Sequence, residues 1–357
     1  MSTVDVVVPC YNYAHYLPFA VGSVVSQRDV DVRVLIIDDQ SPDETAEVAA
    51  RLCAADSRIS YHRNAINLGL IGTANHGVMD WAKADYVVLL SADDALTPGA
   101  LARATGVLDI RPELSMAYSR CSLLNDAHEP EILPDLAEPT WRVIDPARFI
   151  RRNFEVGNPT PSPSVIVRTS VQQAIGGYDH RFRHTSDMDM WMRCATRGPV
   201  GVIQEPGAFY RLHASNMGNE FFRQPLGDRQ EIIDTCAAFV ARFSDQFPEA
   251  GQWLTNLKRR YADEAYWLCG RTLEDGNHEV RAACVAFAKR HHPSPWLSAA
   301  AWRFGIKRLL GPSLMRALRR NAQADPTAAD GSRDGMSSDN EACHEQRRRV
   351  GWWPEAA

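Results

Sequence analysis

The sequence has no Cys-x-x-Cys pair. Its eight cysteines, Cys10, Cys53, Cys121, Cys194, Cys236, Cys269, Cys284 and Cys343, are scattered. This argues against a disulfide framework and fits unpaired thiols in a reducing compartment. No apolar run approaches the roughly 18 residues that a membrane span needs. No basic, long-apolar, small-residue leader precedes the first apolar segment, Val4–Val8. A cytoplasmic protein, soluble or peripheral at the membrane, is therefore expected. Excess positive charge is also lacking: the net charge is -5, unlike the strongly basic domains that bind nucleic acid. There are no internal repeats. No Gly-x-Gly-x-x-Gly follows the first apolar segment, where Pro9-Cys10-Tyr11-Asn12-Tyr13 stands instead, which sets aside a dinucleotide-binding oxidoreductase.

The 357 residues, 45% of them hydrophobic, suffice for a large core and an appendage or second domain. Val4–Val8, Val32–Ile37 and Tyr86–Leu90 are continuous apolar runs, as in strands buried on both faces. Between them, Leu17, Ala20, Val21, Val24 and Val25 form a helical stripe. Ser41-Pro42-Asp43-Glu44 reads as a capping box for a helix running to about Ala54. A short strand is expected at Ile59–His62 and a helix from Ile71 to Ala82. Thr97-Pro98 reads as an N-cap followed by proline at the first helical position. This alternation predicts an α/β layer with a largely parallel sheet. Looser patterning follows, with strands near Met116–Leu123, Ser164–Arg168 and Gly201–Ile203 and a helix near Asp187–Thr196. Variable loops are expected around Leu124–Asn158. Helices are expected at Arg229–Phe243, Trp253–Leu273 and Val280–Arg290. The predicted organisation is a catalytic-type domain over 1–220, a helical region over 221–320 and a disordered tail over 321–357.

Two acidic pairs, Asp38-Asp39 and Asp93-Asp94, follow apolar strands. Parallel sheets bind ligands at the carboxyl ends of their strands. Adjacent carboxylates repel unless a cation joins them, and carboxylates with substrate phosphates are the usual Mg²⁺ or Mn²⁺ ligands. A phosphoacceptor signalling domain carries its acidic pair after the first strand, whereas here a pair follows the second.

Val6-Val7-Val8-Pro9-Cys10-Tyr11-Asn12, Ile36 through Thr45, Asn67-Leu68-Gly69 and Leu90-Ser91-Ala92-Asp93-Asp94 together resemble glycosyltransferase family 2. Gly176-Gly177-Tyr178-Asp179, Asp187 through Arg193 and Tyr210-Arg211-Leu212-His213 resemble its later segments, so the likeness covers roughly the first 215 residues. It implies the GT-A fold, a Rossmann-like mixed sheet flanked by helices, here with a C-terminal helical region. It also implies an inverting, metal-dependent transfer of sugar from a nucleotide-sugar, with UDP the expected nucleotide, to a glycan or lipid-linked acceptor. By the same resemblance Pro9 and Tyr11 line the base and Asp39 accepts from the base N3–H. Asp93 faces the ribose and diphosphate, Asp94 binds Mg²⁺ or Mn²⁺ with His213 as a further ligand, and Asp187 is the catalytic base. Ser91 and Ser186 stand where many members carry acids. Asp189, two residues along a helix, faces away from Asp187 and reads as structural. Neither membrane spans nor the Gln-x-x-Arg-Trp motif of processive relatives is present, so one sugar per acceptor is expected. The rival reading is a non-catalytic nucleotide-sugar binder. From Trp296 to Arg320 aromatic, aliphatic and basic residues interleave, as in a helix lying on an anionic membrane or in an amphipathic helix packed on the catalytic domain with its basic residues in water.

Overall fold

The structure, a computed structural model, describes residues 1–125, 140–216, 225–275, 277–292, 294 and 298–310. The tail expected over 321–357 lies outside the described residues, as do most of the loop after Asn125 and much of the stretch from Trp296 to Arg320. The chain divides into two units, one ending at Asn219 and one beginning at Glu220.

The first unit is built on a mixed sheet. Strands β1 (Thr3–Cys10), β2 (Asp31–Asp38), β3 (Ile59–Arg63) and β4 (Tyr86–Leu89) are parallel and lie in the order β3-β2-β1-β4. The sheet continues through β8 (Ile166–Arg168), β6 (Met116–Asn125), β9 (Val200–Leu212) and β5 (Ala95–Leu96), and β7 (Trp141–Ile144) pairs with β9. β8 is antiparallel to both β4 and β6, which ends the parallel half, while β6 and β9 run parallel. Helices α1 (Leu17–Val25), α2 (Thr45–Ala55), α3 (Gly69–Asn75), α4 (Ala100–Ile110), α5 (Pro146–Val156), α6 (Thr169–Ile175) and α7 (Ser186–Ala195) flank it.

The apolar runs explain the centre of the sheet. Val4, Val6, Val7 and Val8 are buried, as are Val34, Ile36 and Ile37 beside them. Leu17, Ala20, Val21 and Val24 turn the buried face of α1 inward at helical spacing. Asp5, buried within β1, accepts both arms of Arg33 and the amides of Lys83 and Ala84, so its charge is fully partnered.

Several boundaries differ from the sequence expectation for identifiable reasons. The helix expected over Ile71–Ala82 is α3 followed by a π-helical turn, His76–Trp81. Gly77 there approaches β1 so closely that a Cβ would sit 2.2 Å from Val7 Cγ1. Thr97 does not cap α4. Its amide and hydroxyl instead bond to Gly207 and Pro206 of β9, and Gly99, with φ 68°, stands before the helix. α2 begins at Thr45, and Asp43 accepts from the Thr45 amide and hydroxyl while its other oxygen holds the Ala14 amide. β9 has 13 residues where three were expected, because register shifts at Arg120 accommodate Pro206 and let pairing resume. β7 and α5 occupy much of the expected loop before Asn158.

The second unit contains α8 (Pro225–Phe243), α9 (Ala250–Asp275), α10 (His278–His291) and a helix over 299–310, α11. Phe239 stacks against Phe243 and Phe247, and Tyr266 of α9 meets Phe304 of α11. Among the described residues no helix is long and apolar enough to cross a membrane.

Candidate active site

The first part of the site is the shared end of β1 and β2, where Cys10 is in register with Asp38 and the Asp39 amide bonds to the Cys10 carbonyl. The two adjacent aspartates have different fates. Asp38 is saturated: Ser41 N, Tyr61 Oη and Arg63 all bond to its carboxylate. Asp39 accepts from Asn64 Nδ2 at 2.8 Å and from the Leu68 amide at 2.7 Å, both at Oδ1. Its Oδ2 has no partner among the described residues and can accept a further donor. Pro9 is buried in β1, whereas the Tyr11 ring is 50% exposed, so a planar group could stack on it.

The second part follows β4. Leu90 bonds to Val7 of β1, which brings the Asp93-Asp94 turn to the same strand-end edge. Arg211, on β9, donates its backbone amide to Asp94 Oδ1 at 3.0 Å and its Nε to the Asp93 carbonyl at 2.9 Å. Its guanidinium also lies 4.5 Å from the centre of the Tyr16 ring, a cation–π contact. His213, two residues on, hydrogen-bonds Asp93 Oδ2 through Nε2 at 3.0 Å and packs edge-on against Tyr13. Both carboxylates are buried. Burial and the neighbouring Asp93 charge hold the Asp94 carboxyl well above the usual carboxylate range. Burial and the same charge also push the Tyr13 phenol up.

These residues suit a hard divalent cation. Two carboxylates and an imidazole supply oxygen and nitrogen donors, and the raised Asp94 carboxyl marks charge that a cation would relieve. In the described arrangement His213 is turned to Asp93, and no three such groups gather in metal-holding geometry among the described residues.

The third part is Asp187, in the first turn of α7. Its Oδ2 accepts from Ser162 Oγ at 2.6 Å and from Asn158 Nδ2 at 2.8 Å, and its Oδ1 from the Met188 amide. Burial raises its carboxyl, and the Ser162 bond draws it partly back. Asp189 is buried and bonds to Arg193 Nε at 2.8 Å; Arg193 also donates to the carbonyls of Ile175 and Gly177. That ion pair staples the Gly176-Gly177 loop to α7. On the loop's other side Asn75 exchanges two hydrogen bonds with Tyr178, so closely that a Cβ on Gly177 would lie 2.4 Å from Asn75 Oδ1.

The structure thus brings Asp93, Asp94 and His213 together. It sets Asp39, Pro9 and Tyr11 at neighbouring strand ends, and it seats Asp187 on α7 with donors from the turn before β8. The sequence reading assigned no role to Arg211, Asn64, Ser162 or Asn158. Arg211 was visible within Tyr210-Arg211-Leu212-His213, but its partners lie about 120 positions away.

A mixed sheet with acidic strand ends and flanking helices is the GT-A glycosyltransferase fold. The family model for glycosyl transferase family 2 matches residues 5–122. A solved structure of residues 1–349 of S. aureus TarS, in complex with UDP-GlcNAc, superposes with a TM-score of 0.52 at 16% identity, covering 83% of this chain and 92% of that one. The mannosyltransferase from Pyrobaculum calidifontis, in complex with GDP-Man and Mn²⁺, superposes at 0.53 and 14% identity, covering 98% and 85%. A Campylobacter jejuni β-1,3-glucosyltransferase acting on GalNAc(5)-diNAcBac-PP-undecaprenol is 35% identical over 102 residues, 28% of this chain and 33% of that enzyme. The chain is similar to glycosyltransferase family 2 over residues 5–122, and the relatives it resembles support a glycosyltransferase.

Proposed function

We propose that the protein moves a sugar from a nucleoside diphosphate-sugar, UDP foremost, to a hydroxyl of a glycan or lipid-linked acceptor at the cytoplasmic face of a membrane. It does so with inversion and adds one sugar per acceptor, in surface polysaccharide or glycoconjugate synthesis. The observation that carries this reading is Asp94, buried beside Asp93 and fixed by the Arg211 amide at the strand-end edge. The donor complexes of TarS and of the Pyrobaculum calidifontis mannosyltransferase support a nucleotide-sugar, and the Campylobacter jejuni enzyme supports a lipid-linked acceptor.

In this reading Tyr11 stacks on the base and the open Oδ2 of Asp39 accepts its N–H. Asp93 faces the ribose and diphosphate, its backbone carbonyl held by Arg211 Nε. Asp94 and His213 would hold Mg²⁺ or Mn²⁺, whose positive charge would offset the negative charge of the departing diphosphate. For His213 this requires its ring to leave Asp93 Oδ2. Asp187 takes the proton of the acceptor hydroxyl as its oxygen bonds to the anomeric carbon. The bond from that carbon to the diphosphate breaks on the opposite face, and the nucleoside diphosphate leaves. Burial raises the Asp187 carboxyl, which suits a general base.

Turnover of a panel of radiolabelled nucleotide-sugars with Mn²⁺ and a mixture of glycan and lipid-linked acceptors tests the proposal. Mn²⁺-dependent transfer of one sugar, with inverted configuration, is the expected result. Tight donor binding without transfer to any acceptor would favour the non-catalytic binder.

A further inference from the structure

The helix α11, over 299–310, has two apolar faces. At 100° per residue, Trp302, Ile306 and Leu309 fall on one stripe, and Phe304 lies on the opposite side. Phe304 is buried and meets the Tyr266 ring, so its face is the packed one. The other stripe points outward: Trp302 is 62% exposed, Ile306 53% and Leu309 89%. A helix that only packed on its own unit would turn a polar face to water. Arg303 and Arg308 flank the outward stripe, one on each side. Arg303, Lys307 and Arg308 form no ion pair among the described residues. The charge extends beyond the helix. Between Val280 and Ala324 the sequence has nine Lys and Arg and no Asp or Glu, in a chain whose net charge is -5.

We infer that the Trp302–Ile306–Leu309 stripe docks this unit onto an anionic lipid bilayer, lying in the interface with its flanking cations at the headgroups. The concentration of cations selects an anionic partner. The exposed aromatic and aliphatic stripe selects one with an apolar interior, which polyanions such as nucleic acid lack. The inference stands on the surface of this unit alone, independently of which sugar or acceptor the enzyme uses.

Flotation of the full-length protein with phosphatidylcholine vesicles, with and without phosphatidylglycerol, tests it. Leu309→Asp is the informative variant, because so exposed a side chain contributes nothing to the packed face. The wild type should float with the anionic vesicles at low salt and not with phosphatidylcholine alone. Leu309→Asp should bind about tenfold or more weakly. Arg303→Gln and Arg308→Gln should each cost roughly fivefold. Transfer to a water-soluble acceptor should be unchanged in Leu309→Asp, so failure of the sugar-transfer reading would leave the flotation result intact. The inference is overturned if the wild type stays unbound to anionic vesicles, or if Leu309→Asp floats as well as wild type. It is equally overturned if sedimentation shows a dimer that Leu309→Asp dissociates while neither protein binds vesicles.

Discussion

Replacing Ser162 by alanine should move the pH profile of the enzyme without dismantling its site. Ser162 Oγ donates to Asp187 Oδ2 at 2.6 Å, and this bond lowers a carboxyl that burial has raised. A hydrogen bond to a charged group is worth about 1.5–3 kcal/mol. Part of that is recovered, because Asp187 is half-buried and keeps Asn158 Nδ2 on the same oxygen, so water and the remaining donor can reorganise. A net loss of about 1.4 kcal/mol from the ionised form corresponds to about one pKa unit upward. The base works only when deprotonated. Activity therefore falls as pH drops through its pKa, and a higher pKa moves the acid limb of kcat to higher pH. In Ser162→Ala that limb should shift up by about one unit, while the plateau at high pH falls by less than about tenfold. The assay is kcat against pH at saturating donor, Mn²⁺ and acceptor. A Ser162 that only shaped the turn before β8 would lower the plateau and leave the limb in place. An unmoved acid limb therefore refutes the assignment of Asp187 as the titrating base.

Three further outcomes are expected. Asp187→Asn keeps the size of the side chain and should lower kcat by about 10²-fold or more with donor affinity nearly unchanged; near wild-type turnover would move the role to another carboxylate. Asp94→Ala should abolish turnover and the Mn²⁺-dependent part of donor binding measured by calorimetry, and retention of either would remove Asp94 as the metal ligand. Asn64→Ala removes the donor that fixes Asp39 Oδ1 and should weaken donor binding by about 1–3 kcal/mol, read as a raised donor KM with a smaller change in kcat; an unchanged KM would show that the Leu68 amide holds Asp39 unaided.

The parallel half of the sheet was legible because strands covered on both faces are written as unbroken apolar runs, and the GT-A class followed from the motifs they carry. α5 and β7 were not read, although a signal existed. Asp145 caps α5 through the amides of Ala147 and Arg148, Pro146 opens the helix, and Phe149, Ile150 and Phe154 recur at helical spacing on its buried face. The surrounding polar residues hid that short stripe. β9 was shortened by Gln204-Glu205-Pro206-Gly207, which reads as a break. The bulged pairing with β6, and the pairing of β5 with Ala208 and Phe209, show that the strand continues through it.

Within the site, legibility ended where one carboxylate had to be told from its neighbour. Asp38 and Asp39 share a strand end, yet Asp38 is consumed by Tyr61, Arg63 and the Ser41 amide, while Asp39 keeps an oxygen open. Periodicity supports the separation of Asp189 from Asp187, since residues two apart on a helix do not face each other. It does not supply Asp189 with Arg193, nor Arg193 with the carbonyls behind Gly177. Residue type and spacing place charge at an edge; partners contributed by distant strands decide which charges remain available. At Asp94 that decision rests with Arg211, which arrives from β9 and uses its backbone amide, a group no side-chain pattern can announce. The acidic pairs were therefore readable as a site, and their division of labour became readable only when β9 and β6 were seen to close the sheet around them.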